Sequence, residues 1–254
     1  MRALISVSDK SGIIAFAKSL IECGYEIVST GGTLKTLSKN GVSVTPVDAV
    51  TDFPEILDGR VKTLHPHVHG GLLAVRNNKD HIRTCKLHGI SLIDLLVVNL
   101  YPFEKTISQP NVKLDDAIDN IDIGGPSMLR SAAKNYQSVG VIVNPDRYDA
   151  VITELRDNKG TLSLSMKEKL ACEAFSHTAN YDTMIWEFLN DRLNRNSEQY
   201  ISLKQLSLKK QNKLRYGENP HQSAAFYKIS GQSGIPDLVQ HHGKALSYNN
   251  IIDL

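Results

Sequence analysis

Two cations, a threonine and three alternating histidines share one short stretch, Gly59–Leu73, which reads GRVKTLHPHVHGGLL. Set on a strand, His65, His67 and His69 would line one face, one route to a metal site. The stretch itself holds no cysteine or carboxylate, so its ligand count falls short of a tetrahedral set. Arg60, Lys62 and Thr63 make a better anion clamp, with a fork of donors from arginine and a point charge from lysine. A solvated basic loop is the alternative. SVSDKSG (Ser6–Gly12) and STGGT (Ser29–Thr33) carry a second kind of chemistry. Gly31 and Gly32 let the backbone come close to an anion. Hydroxyls, the Lys10 ammonium and amides at a helix start can then hold phosphate oxygens. Either segment alone would pass for a strand-to-helix turn capped by serine or threonine; two at adjacent strand ends favour a phosphate site.

Further along, NLYPF offers the amide of Asn99 and the phenol of Tyr101, for which a structural tyrosine is the plain alternative. In NIDIGGPSMLRSAAKN, Asp122 precedes a Gly-Gly-Pro helix start, where the helix dipole alone would stabilise a carboxylate. Lys134 follows twelve positions later, and a straight helix between the two spans roughly 18 Å. The two meet only if the helix is shorter, its start bends back, or Lys134 reaches in from the far end. By default it is a surface lysine. His177, in FSHTANYD, fits a packed, hydrogen-bonded histidine.

The elements that must position these groups alternate. ALISV, YEIVST and VSVTPV have strand composition, and IIAFAKSLIECG and LKTLSKNG show helical spacing between them. DLLVVNLY is the most apolar run and suits a central strand buried on both faces; SVGVIVN is another strand, and PDRYDAVITELRD the helix after it. The pattern predicts an α/β fold, a parallel sheet flanked by helices, with ligands at the C-terminal strand ends. From Ser165 a long amphipathic helical region follows. The expected division is one domain over residues 1–195, a polar linker over 196–212, and a new segment over 213–254 with too few residues for a second core, hence loosely packed.

Composition sets outer bounds. Lysine and arginine number 29 against 27 acids, a net charge of +2, so no nucleic-acid partner is expected. Cys23, Cys85 and Cys172 form no CxxC pair, which suits a reducing cytoplasm. The short apolar run after Met1 does not make a signal peptide, and no run approaches a membrane span.

Taken in order, SVSDKSG, STGGT, GRVKTLHPHVHGGLL, NLYPF, IDIGGPSMLRSAAKN, AFSHTANYD and LRYGENPHQ resemble the bifunctional purine-biosynthesis enzymes that combine AICAR transformylase with IMP cyclohydrolase. The resemblance covers the chain from Ala3 onward. It implies a methylglyoxal-synthase-like fold to about residue 195, closing formyl-AICAR to IMP and water without a cofactor. By the same resemblance Ser8, Asp9, Lys10, Thr30, Gly31, Gly32 and Thr33 contact the nucleotide, mainly at its phosphate. Arg60, Val61, Lys62, Thr63, Val98, Asn99, Asp122 and Ile123 complete its pocket, without metal. Val98 departs from a cysteine found in some members, which a backbone contact would survive. Lys62, Tyr101, Asp122 and Lys134 correspond to the catalytic set, with Lys134 as proton donor or acceptor. Arg215 and Tyr216 match the first AICAR-binding element of the transformylase, whose co-substrate is 10-formyltetrahydrofolate. The family's catalytic Lys-His pair has no counterpart here, so formyl transfer is not expected of these residues; a homodimer is. Methylglyoxal synthase and a nucleotide-sensing regulatory domain are the alternatives on the same fold. The first leaves RVKTLHP and LRYGENPHQ unexplained, and the second gives Lys134 and Tyr101 no task.

Overall fold

The computed structural model describes residues 1–101, 103–109, 111–193, 203–229 and 233–254. They form two compact units, Met1–Phe188 and Leu189–Leu254. The first holds a five-stranded parallel sheet of β1 (Arg2–Val7), β2 (Glu26–Ser29), β3 (Thr45–Pro46), β4 (Leu95–Asn99) and β5 (Gly140–Ile142), in the order β3-β2-β1-β4-β5. Ala3, Leu4, Ile5, Leu95 and Leu96 are wholly buried, as continuous apolar runs in a parallel sheet covered on both faces should be. The third strand is shorter than VSVTPV suggests. Pro46 has no N–H to continue the ladder, and a helix begins at the next residue.

The chain builds outward from β1 to β2 and β3, then returns across β1 to lay down β4 and β5. The order therefore reverses between β1 and β4, the place where open α/β sheets form a ligand crevice at the C-terminal strand ends. Val7, the last residue of β1, pairs in register with Asn99, the last of β4.

Helices α1 (Ile13–Glu22), α2 (Gly31–Lys39), α3 (Val47–Thr51), α4 (Pro66–Leu73), α5 (Lys79–Leu87), α6 (Phe103–Ile107), α7 (Leu114–Asp119), α8 (Gly124–Lys134), α9 (Tyr148–Asp157) and α10 (Leu164–Leu193) fill the connections and follow the sheet. α1 shows the rule that builds them: Ile13, Phe16, Ala17 and Leu20 recur at helical spacing and are its buried residues. α2 starts directly on the glycine pair at the end of β2. α10 runs for 30 residues, and Phe103 meets Tyr181 and Phe188 edge-on at 6.1 and 5.7 Å.

Two expectations are corrected. The histidine stretch is not a strand: Pro66 opens α4, where its fixed φ and missing N–H suit the first turn, and the His65 ring caps that turn by accepting the His67 N–H at 3.2 Å. The supposed linker also ends early. Strand β6 (Leu208–Leu214) begins within it and pairs antiparallel with β7 (Ala224–Ile229); residues 194–202 lie outside the described residues. In this second unit the hairpin exposes every β6 side chain except Leu214, and α11 (Tyr248–Ile252) starts on a Ser247–Asn250 capping box. No helix among the described residues is long and apolar enough to cross a membrane.

Candidate active site

At the sheet's reversal point, Asn99 ties the two strand ends together. Its Oδ1 accepts the backbone N–H groups of Ser8 and Asp9 at 2.7 and 2.8 Å, and its Nδ2 donates to the Asp9 carbonyl at 3.1 Å. The Asp9 carboxylate turns back to accept from the hydroxyl and N–H of Ser11, at 2.6 and 2.9 Å. Those two bonds, the hydroxyl's first, hold its pKa below the ordinary 3.8. Asp9 therefore shapes the β1–α1 turn, while Lys10 projects from it, exposed.

Lys10 and Lys62 converge on the start of α2. A methyl group added to Gly32 would lie 3.9 Å from the Lys10 Nζ, and one on Gly31 would lie 3.7 Å from the Lys62 Nζ. Gly31 holds φ +46°, a region that side chains disfavour. Two ammonium groups thus lie beside the start of a nine-residue helix, whose N-terminal amides and positive dipole end suit an anion. Thr30 and Thr33 are buried and occupied. The Thr30 hydroxyl shares a 3.0 Å hydrogen bond with Ser6, and Thr33 both accepts the Val7 N–H and donates to the Val7 carbonyl, each at 3.0 Å. They lock α2 onto β1 and fix where the amides point.

Lys62 arrives on a tight hairpin. Ile56 and Val61 form an antiparallel bridge across a turn in which Leu57, Asp58 and Gly59 have φ of 53°, 53° and 87°. For Leu57 and Asp58 this left-handed geometry costs about 1–2 kcal/mol each. The Glu55 carboxylate folds under the hairpin to 3.6 Å from the Lys62 Nζ. Arg60 leaves the cluster: it is exposed and forms an ion pair with Asp119 of α7. Thr63 is buried with its hydroxyl 2.6 Å from where a methyl on Gly124 would stand, which joins the hairpin to the start of α8.

Asp122 sits at that start. Its Oδ1 accepts the Gly125 N–H at 2.8 Å, and its own N–H donates to the Tyr181 hydroxyl at 2.8 Å. Burial raises its pKa above 3.8, against the pull of the Gly125 N–H, the Lys62 charge and the backbones of Tyr101 and Gly124. Gly125 is required here, since a methyl would stand 2.4 Å from the Asp122 Oδ2. Tyr101 contributes backbone at Asp122, while its side chain is 56% exposed, as is that of neighbouring Ile123 at 57%. The Val98 side chain lies in the core and Val61 is half-buried, so Val98 offers the crevice only its backbone.

Lys134 is not brought to this cluster. It is the exposed last residue of the eleven-residue α8, roughly 16 Å of helix from the Asp122 end. The histidines serve three separate junctions: His65 caps α4, His67 Nδ1 meets the Val50 carbonyl at 2.9 Å, and His69 Nδ1 meets the Ser131 hydroxyl at 2.9 Å. His177 is half-buried in α10. In the second unit the Arg215 guanidinium lies 5.0 Å over the ring of Tyr216. The sequence reading missed Glu55, Asp119 and Tyr181. An Asp-Gly turn between Ile56 and Val61 is a hairpin signal that would have set Glu55 opposite Lys62; nothing local announces Asp119 or Tyr181.

Family models match almost end to end: the MGS-like domain over residues 12–127 and the AICARFT/IMPCHase bienzyme over 132–254. Bifunctional purine biosynthesis protein PurH of Bacillus cereus (strain B4264) is 52% identical over 254 residues, 99% of this chain, and PurH of Bacillus cereus (strain G9842) is 53% identical over the same span. The chain belongs to the AICARFT/IMPCHase bienzyme family. It spans about half of those relatives, 49% of each. A solved structure, described as the crystal structure of ForH, superposes with a TM-score of 0.69 at 34% identity, covering 75% of this chain and 97% of that one. The MGS-like match runs from the start of α1 through the first turn of α8; it includes the cluster residues from Gly31 to Asp122, while β1 and Lys10 precede it.

Proposed function

We propose that this chain is an IMP cyclohydrolase, closing formyl-AICAR to IMP at the last step of de novo purine biosynthesis. The observation that carries the reading is the convergence of Lys10 and Lys62 on the amides of Gly31 and Gly32, with Asp122 next to Lys62. One end of that crevice suits a phosphate and the other a purine precursor. In the reaction the carboxamide nitrogen attacks the formyl carbon, forming the ring C–N bond. The formyl oxygen then leaves as water, carrying one proton from the carboxamide nitrogen and one from the formamide nitrogen. Both reacting groups belong to one molecule, so the protein need only fold it and manage charge and protons. Asp122 accepts the carboxamide N–H, the Lys62 ammonium stabilises the developing oxygen charge, and the Tyr101 phenol is the third group this reading assigns to the reaction. No cofactor is required, and 10-formyltetrahydrofolate belongs to the transformylase step of full-length relatives.

A homodimer completes the reading. Lys134 lies too far along α8 to reach Asp122 within one chain, and a second copy would supply it from its exposed helix end. The cytoplasm is the compartment that fits, since Cys23, Cys85 and Cys172 are all free thiols. The decisive assay incubates the purified protein with formyl-AICAR and follows ultraviolet absorbance. Ring closure is expected, slowed about a hundredfold or more in Lys62→Ala. Folded protein that leaves formyl-AICAR unchanged ends the proposal. Mixing inactive Lys134→Ala with inactive Asp122→Asn tests the shared site: activity should return only if two copies build one pocket.

A further inference from the structure

We infer that Glu55 is a built-in competitor at the anion site, holding Lys62 until a phosphate displaces it. The inference takes the identity of the anion from the function proposed above and adds a residue that this function does not use. The Glu55 carboxylate is 3.6 Å from the Lys62 ammonium, and Lys62 is its only ion-pair partner among the described residues. The other acids near Lys62 and Lys10 have fixed duties, Asp9 on Ser11 and Asp122 on Gly125.

The hairpin is shaped to seat it. A methyl on Gly59 would lie 2.4 Å from the Glu55 Oε1 and 3.6 Å from the Lys62 Nζ, so the glycine's missing side chain is the recess that the carboxylate fills. Lys62 in turn faces Gly31 at the start of α2. Carboxylate, ammonium and helix start therefore lie in sequence, and a phosphate on the α2 amides must share Lys62 with Glu55. The two side chains are 51% and 33% exposed, and a pair so open to water is weak enough to part. While the site is empty, it keeps Lys62 from binding stray anions; when a phosphate of higher charge arrives, the α2 dipole and Lys10 tip the exchange.

Glu55→Gln tests this directly, with inorganic phosphate and IMP as probes in calorimetric titrations. Removing the competing charge should tighten both by about three- to ten-fold at low salt, an advantage that shrinks as salt screens it. In a Lys62→Ala background the same substitution should change affinity by less than about two-fold, because there is no shared cation left. With formyl-AICAR, KM should fall by about the same factor, because the phosphate is bound in the ground state as well as in the transition state. Unchanged or weaker phosphate binding by a folded Glu55→Gln protein overturns the inference while leaving the cyclohydrolase reading intact. Wild-type protein that binds neither probe overturns both.

Discussion

Replacing Asn99 separates two duties that one side chain performs. Its three hydrogen bonds, to the Ser8 and Asp9 N–H groups and the Asp9 carbonyl, hold the ends of β1 and β4 together where the sheet order reverses. Each contributes roughly 0.5–1.5 kcal/mol net, so Asn99→Ala should lose about 2–4 kcal/mol. For a unit of this size that corresponds to a melting temperature lower by roughly 5–15 °C. Asn99→Asp behaves differently. A carboxylate keeps both accepted bonds, in a stronger charge-assisted form, and forfeits only the donation to the Asp9 carbonyl, a loss of about 1 kcal/mol. It also sets a negative charge beside the turn that carries Lys10. Thermal unfolding by circular dichroism, run beside phosphate titration, should find the aspartate variant nearly as stable as wild type and yet the poor phosphate binder. An alanine variant melting within about 2 °C of wild type, or an aspartate variant that binds phosphate normally, refutes the argument.

Three other perturbations probe the same frame. Because burial raises the Asp122 pKa above 3.8 in the fold, folding favours its neutral form more than the unfolded chain does. That contribution is complete below 3.8 and is lost as pH rises through the folded pKa, so wild type should lose stability relative to Asp122→Asn on going from acid to neutral; a flat or opposite difference between melting curves contradicts it. Gly125→Ala should push the Asp122 carboxylate aside, lower stability by about 1–3 kcal/mol and cut ring closure at least about tenfold, measured by unfolding and by absorbance. Tyr148→Phe should raise the melting temperature by about 2–4 °C, because it removes a buried hydroxyl with no hydrogen-bond partner among the described residues. The ring's 4.1 Å stack on Phe16 survives that change, so a lower melting temperature would reveal a partner for the hydroxyl.

How much the sequence disclosed depended on range. Apolar runs and glycine stops located the sheet because strand composition and helix termination are local. The glycines and hydroxyls of STGGT suggested an anion site, and the fold brings two ammonium groups near Gly31 and Gly32. Thr30 and Thr33 read as ligands, whereas the fold spends their hydroxyls on Ser6 and Val7, which only tertiary packing decides. Alternation of His65, His67 and His69 mimicked a strand, yet Pro66 turned the segment into a helix and sent each ring to a different neighbour. Arg60 and Lys62 stand two residues apart in one basic motif and part company, one to Asp119 and the other to Glu55 and Gly31, because each answers to a contact distant in the chain.

The division of α8 then constrains the chemistry. Gly125 in its first turn and Tyr181 of α10 fasten Asp122, and its last residue, Lys134, is exposed. A carboxylate that burial pushes up, and that N–H donors and Lys62 pull down, is balanced to hold a carboxamide N–H and to take some of its proton as the nitrogen attacks. In the proposed reaction it would not also protonate the departing oxygen from the opposite side of the adduct, and Lys62 would be engaged with the charge on that oxygen. A second proton carrier must therefore approach from outside the α2–α8 cluster. Of the groups proposed for catalysis, Tyr101 and Lys134 are the exposed ones, and in the proposed dimer Lys134 would enter from the second copy. Loss of ring closure on dilution to monomers, with phosphate binding retained, would follow from that geometry; full activity in a demonstrated monomer would assign the proton to Tyr101 instead.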